Sequence, residues 1–305
     1  MKSRVLSAVA VLSVVAACSQ SPDAPTSPAS PSAGPSLSQN PNDEIQNDPK
    51  VHVHLARGQA RPGGGGGSPQ LVWHNGAILT STPVKAIFWG TSWTSAGFTG
   101  DKISGLNSFY GGIGGTSYMK TNVEYTGTNG TVGAGVSYLG STVDASPAPR
   151  GAPKTADVLG EVCKVVGSSP VANAYYPVYV DTPRGHAGYC AWHSYGSCNG
   201  TPVEIGFFFS LDGDGGCDPG DTSSGHSQGL AALANVSGHE LSETVTDPAN
   251  GGWWDASGAE NADKCAWTFN GYRSFGGSSW KIQGNWSNKA YLTRSGYDGA
   301  GCISG

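Results

Sequence analysis

Apolar residues in this chain fall into short runs separated by glycine, asparagine and serine, and the spacing inside each run predicts its element. VKAIFWG, between Pro83 and Gly90, is a continuous apolar run and predicts a buried strand. DKISGLNSFYGGI places Ile103, Leu106 and Phe109 at helical spacing. VEYTGTNGTVGAGVSYLGSTVD reads as strands joined by Asn-Gly and Gly turns. In TADVLGEVCKVVGS, Val158, Leu159, Val162 and Val165 share a helical face, with Thr155 as cap and Gly167 as stop. AYYPVYVDT and PVEIGFFFSL predict strands. HSQGLAALANVSGHELSETVTD is the longest helical stretch, with Leu230, Leu233, Leu241 and Val245 as apolar positions, His226 at its start and Pro248 at its end. No internal repeat or phosphate-binding glycine loop interrupts the series. The expected fold is one α+β domain over 71–305, disulfide-containing, with a mixed sheet and a long helix bearing the candidate motif; a split near residue 215 is the alternative.

The segments before residue 71 carry a different pattern. MKSR followed by VLSAVAVLSVVAA and Cys18 has the form of a bacterial lipoprotein leader, a basic start and an apolar stretch too short for a stable span. The expectation is a signal peptide over 1–18, with lipidation of Cys18 anchoring an exported protein to the bacterial cell envelope, facing the periplasm or the outside. Residues 19–70 are rich in Ser, Pro and Gly and read as a disordered tether. Within it, VHVH sets His52 and His54 two apart, a pair read as incidental in such a linker.

Composition agrees with export. Charged residues make up 13% of the chain, Lys and Arg number 17 against 22 Asp and Glu, and glycine reaches 47, so no nucleic-acid footprint is present. Membrane contact is expected through the lipid anchor alone. Apart from Cys18 the cysteines are Cys163, Cys190, Cys198, Cys217, Cys265 and Cys302, an even set that predicts three disulfides. Cys190 and Cys198 are the easiest local pair, although spacing alone leaves every pairing open.

The candidate chemistry begins at SGHELSETVTDP. His239 and Glu243, four apart on a helix, project from one face, as the two histidines of a zinc hydrolase do, with Glu240 beside them as the candidate general base. Downstream, SGAENADKC carries Glu260 and Asp263 three apart, which resembles the second motif of thermolysin-like enzymes. That resemblance makes Glu260 the third zinc ligand and Asp263 the partner that orients His239. The pattern departs from the zincin peptidases at Glu243, where they have histidine. Asp247 is a rival ligand or a turn residue at the helix end. Candidate transition-state donors are His193 and His186 in RGHAGYCAWHSYG, and Tyr272, Arg273 or Tyr291. Asp212, Asp214, Asp218 and Asp221 in a Gly-rich loop suit calcium or a plain acidic turn.

WHNGAILTSTPVKAIFWG, the Cys-Ala-Trp of GYCAWHSYG and TVTDPANGGWWD together resemble the EXORDIUM or phosphate-induced protein family of secreted plant cell-wall proteins and their bacterial relatives. The resemblance implies a secreted, wall-associated role. The plant members have LAGT…TNP where this chain has HELSETVTDP, so the metal reading rests on this chain's own residues. Two functions follow as expectations. One is a surface-tethered zinc hydrolase, a metallopeptidase of zincin-like design, acting on an extracellular peptide or cell-wall substrate through His239, Glu243, Glu260 and Glu240. The other is a non-catalytic surface protein that binds glycans on Trp253, Trp254, Trp267, Trp280 and Trp286 and holds a structural metal at most.

Overall fold

The sheet at the centre of the molecule has six strands, here β1 (His52–Leu55), β2 (Thr82–Trp89), β3 (Val136–Asp144), β4 (Ala174–Pro183), β5 (Tyr189–Cys198) and β6 (Thr201–Ser210). The structure is a computed structural model that describes residues 45, 48–59 and 69–305. The leader over 1–18, Cys18 and the Gly63–Gly67 run lie outside those residues. Spatial order is β1-β5-β6-β4-β2-β3, with β3, β2, β4 and β6 parallel and β5 antiparallel to β6. The sheet is therefore mixed and the fold α+β, as the apolar pattern predicts. β2 and β4 are apolar runs because helices and loops cover both faces of the parallel part. The described residues belong to one compact unit, with no division near 215.

One expectation fails at the N-terminal side. Residues 48–59, assigned above to the disordered tether, include β1, which pairs antiparallel with β5 at the sheet edge. Val51, Val53 and Leu55 alternate with His52 and His54, the period of a strand, and Val53 and Ala56 are buried. Composition over a fifty-residue window hides four residues that have a sheet edge waiting for them.

Three helices matter for the site: α1 (Lys102–Ile113), α2 (Thr155–Val166) and α3 (Gln228–Thr246). α3 starts where Ser227 Oγ accepts the Leu230 N–H at 3.1 Å. His226 does not cap it but stacks on Trp280, ring centroids 4.4 Å apart. α1 and α3 cross closely at Gly105, where a Cβ would lie 2.2 Å from Leu230 Cδ2. α3 lies against β1, β5 and β6, whereas α2 covers the other face of β5: a Cβ on Gly196 would meet Leu159 at 2.6 Å, and His193, three residues away, points to α3.

The C-terminal segment closes over the far side of α3, so the helix is buried on every side from Gly229 to Thr246. Its amides tie the two together: Gln283 N–H donates to Asn235 at 2.9 Å, and Asn285 Nδ2 donates to Ser242 Oγ at 3.0 Å. Three disulfides form, as the even count predicts, joining Cys163 to Cys198, Cys190 to Cys217 and Cys265 to Cys302. The local pair Cys190–Cys198 does not form, because both residues lie on β5 and eight residues of extended strand hold them roughly 26 Å apart. Among the described residues no helix is long and apolar enough to cross a membrane.

Candidate metal centre

His239, Glu240 and Glu243 occupy consecutive turns of α3 and are fully buried, facing the ends of β1 and β5 and the loop that carries Glu260. The expected pair does meet: His239 Nε2 lies 2.9 Å from Glu243 Oε1. What holds the imidazole differs from expectation. Gln283 Nε2, a pure donor, lies 2.8 Å from His239 Nδ1 and also donates to the Ala262 carbonyl at 2.9 Å. Its Oε1 accepts the Trp267 N–H at 3.2 Å, so the amide has one sensible orientation. Nδ1 of His239 is therefore an acceptor and the proton is on Nε2, which lies beside Glu243 Oε1 without aiming its N–H at it. In that tautomer Nε2 carries a proton that a metal would have to displace, while His239, Glu243 and Asp263 still converge as one candidate group with ligand atoms within 4.8 Å of one another.

Asp263 is not the partner of the remote ring nitrogen. Its Oδ1 lies 3.7 Å from His239 Nε2, its N–H donates to Glu243 Oε1 at 2.9 Å, and its Oδ2 accepts the Glu260 N–H at 2.9 Å. Asp263 thus shapes the return loop and fixes Glu243. Glu260 in turn does not join His239 and Glu243 in one ligand set. It turns to two imidazoles, with Oε2 2.9 Å from His52 Nδ1 and 3.0 Å from His193 Nε2. Glu243 Oε2 approaches the same His193 nitrogen at 3.6 Å. The centre therefore gathers around His193, which groups with His52 and Glu260 on one side and with Glu240 and Glu243 on the other, while His54 lies close to His239 and Glu240.

His52 and His193 are cross-strand neighbours in β1 and β5, and their rings stack with centroids 5.1 Å apart. His52 Nε2 faces Asn250 Oδ1 at 3.2 Å, and Asn250 is oriented by donating its Nδ2 to the Pro49 carbonyl at 2.8 Å. Nε2 of His52 therefore carries a proton, and Nδ1 faces the Glu260 carboxylate. Two lone pairs at 2.9 Å repel, so a cation, either a proton or a metal ion, belongs between them. Burial alone would raise the Glu260 pKa, but the charges of His52 and His193 outweigh it and hold the carboxyl well below its usual range. An anionic carboxylate between two imidazoles, one oriented by an outer hydrogen bond, has the donor chemistry of a zinc site.

Asp247 takes the turn role. Its Oδ1 accepts the N–H groups of Gly251 and Gly252 at 2.8 and 2.7 Å, while Oδ2 lies 3.9 Å from His52 Nε2. Burial raises its pKa, Glu260 adds to the rise, and His52 opposes it. Behind it Glu204 on β6 is pushed up to about 8, by burial first and then by the charge of Asp247.

The remaining candidates lie elsewhere. His186 is exposed, and Tyr272 donates to Asp221 at 3.0 Å. Arg273 bonds the Gly305 carbonyl and Tyr291 packs on Trp286. The four loop acids do not converge on a calcium ion: Asp212 pairs with Lys102 and Asp214 with Arg184, Asp218 caps its own turn at the Gly220 N–H, and Asp221 holds Ser223, Ser224 and Tyr272. Among the described residues, none of these acids belongs to a metal-ready group. Trp280 and Trp286 are buried, Trp254 stacks on His74, and Trp253 and Trp267 are half-buried.

The sequence pattern misses His52, Asn250 and Gln283. The alternation of VHVHL signals the first; an amide forty-four residues beyond His239 gives no signal at all. No family model matches this chain, and no curated protein matches it either.

Proposed function

We propose that this chain is an exported metal-dependent hydrolase of zincin-like design, a peptidase in class, with a zinc ion held by His193, Glu243 and Glu260 and with Glu240 as general base. The observation that carries the reading is the approach of Glu260 and Glu243 to one nitrogen of His193, at 3.0 and 3.6 Å, with Glu240 grouped with His193 and Glu243. A divalent ion held there would supply Lewis-acid polarisation of a carbonyl. The Asp263 N–H holds Glu243 Oε1 by a hydrogen bond, with His239 Nε2 2.9 Å from the same oxygen. Glu240, one residue from the His239 turn, is the carboxylate positioned to take a proton from an attacking water. Three disulfides support an oxidising compartment, and the Cys18 leader supports anchoring to the cell envelope. The EXORDIUM resemblance adds a wall-associated setting to the proposal.

Complete burial of His239, Glu240, Glu243 and Glu260 favours one alternative, a structural ion in a non-catalytic surface protein. Glu240→Gln separates the two. In the hydrolase it keeps the metal and lowers peptide hydrolysis by about 10²-fold or more. In the structural-ion protein neither the wild type nor the variant cleaves any peptide, while both hold the metal.

A further inference from the structure

The free edge of β5 beside the centre is taken by a piece of the chain itself. We infer that His52–Leu55 is a self-bound stand-in for an extended polypeptide, and that β5 from Tyr189 to His193 is the docking edge for a peptide substrate in that conformation. This rests on the hydrolase reading and names its substrate class.

Four features carry it. First, among the described residues β1 is outermost in the sheet and pairs only with β5, antiparallel, from His52 against His193 to Leu55 against Tyr189, with a register shift at its end. Main-chain pairing of this kind accepts any extended backbone and draws specificity from alternate side chains. Second, the alternate side chains of β1 on the inner face are His52 and His54. They reach Glu260, His193 and the His239–Glu240 turn, so the segment covers the centre and fills the space a bound peptide would need. Third, beyond the strand the fastening is by two backbone bonds, Ala56 N–H to the Gly188 carbonyl at 3.0 Å and Arg57 N–H to the Gly216 carbonyl at 2.8 Å, and by single polar side-chain contacts. Asn250 donates to the Pro49 carbonyl, Thr155 meets Asp48 at 3.3 Å, and Arg57 donates to the Asp218 carbonyl at 2.8 Å. Arg57 also lies over the Trp267 ring, whose Nε1 donates to the Leu55 carbonyl at 3.0 Å. Fourth, in sequence the segment is flanked by a Ser/Pro-rich stretch and by Gly63–Gly67, so one cut in the glycine run would free it from the body. A glycan has no backbone ladder to offer this edge; an unfolded peptide does.

The test uses the full chain with a site-specific protease sequence inserted in the Gly63–Gly67 run. After cutting, a fluorescent peptide of residues 48–59 is titrated into the protein, anisotropy is read, and metal content is measured on cut and uncut protein. The expected result is saturable binding to the cut protein and little to the uncut. A peptide with Val53→Asp should bind about ten-fold or more weakly, because Val53 is buried against the body. Hydrolysis of an unrelated unfolded peptide should rise on cutting and fall again when the 48–59 peptide is added. Absence of saturable binding, or loss of the folded state once the fragment is removed, makes β1 an integral strand and overturns the inference. Metal retained in that case leaves the centre standing. Binding without metal in either form overturns the hydrolase reading and leaves the docking edge.

Discussion

Gln283 donates from Nε2 to Nδ1 of His239 across 2.8 Å, and this contact fixes which nitrogen of the motif histidine carries the proton. The protonated Nε2 then lies 2.9 Å from Glu243 Oε1, beside the carboxylate of the same motif. In ¹⁵N-labelled protein, the His239 shifts should report the Nε2–H tautomer. Gln283→Leu removes the donor and leaves the Ala262 carbonyl and the Trp267 N–H without their partner. It should cost about 1–3 kcal/mol of stability and give a mixture of tautomers. An Nδ1–H tautomer in the wild type would return His239 to the ligand set.

Glu204 predicts a pH dependence of stability. Its pKa rises from the usual carboxylate range to about 8 in the folded chain, through burial and the neighbouring Asp247. The folded state keeps the proton where the unfolded chain has lost it. Its stabilising contribution is therefore complete below the ordinary glutamate pKa and declines as pH rises from there to about 8. Glu204→Gln should flatten the decline in melting temperature between pH 5 and pH 8 at roughly these limits. A variant with the same slope as the wild type would show that Glu204 is ionised in the fold.

The Cys190–Cys217 bridge fastens the start of β5, next to the Tyr189–Leu55 pair, to the acidic loop. Closing a loop of this size stabilises a fold by about 3–4 kcal/mol. Replacing both cysteines with alanine should lower the melting temperature accordingly and should also weaken capture of the 48–59 peptide by the cut chain. Unchanged peptide affinity would uncouple the bridge from the docking edge.

The long helix and the central strands are legible because their apolar positions repeat at 3.6 residues or run unbroken, and Pro248 marks where α3 stops. The candidate centre is legible only along α3. His239 and Glu243 meet as their spacing requires, and Glu260 and Asp263 return to the same place. Their pairings are set by tertiary contacts: Glu260 turns to His52 and His193, which approach from two strands, and Gln283 takes the position expected of Asp263. His52 is concealed by the composition of its flanks, although VHVHL has the alternation of an edge strand. Cysteine spacing favours Cys190–Cys198 until both are seen on one strand.

The most direct measurement of the central claim is the metal content of the purified, dialysed chain, by inductively coupled plasma mass spectrometry, for wild type, His193→Ala and Glu260→Gln. Circular dichroism alongside verifies that each variant is folded. The account predicts stoichiometric zinc in the wild type and its loss in both folded variants. A folded wild type that takes up no divalent metal, even when zinc is supplied, would contradict it and leave a proton, rather than an ion, between Glu260 and His52.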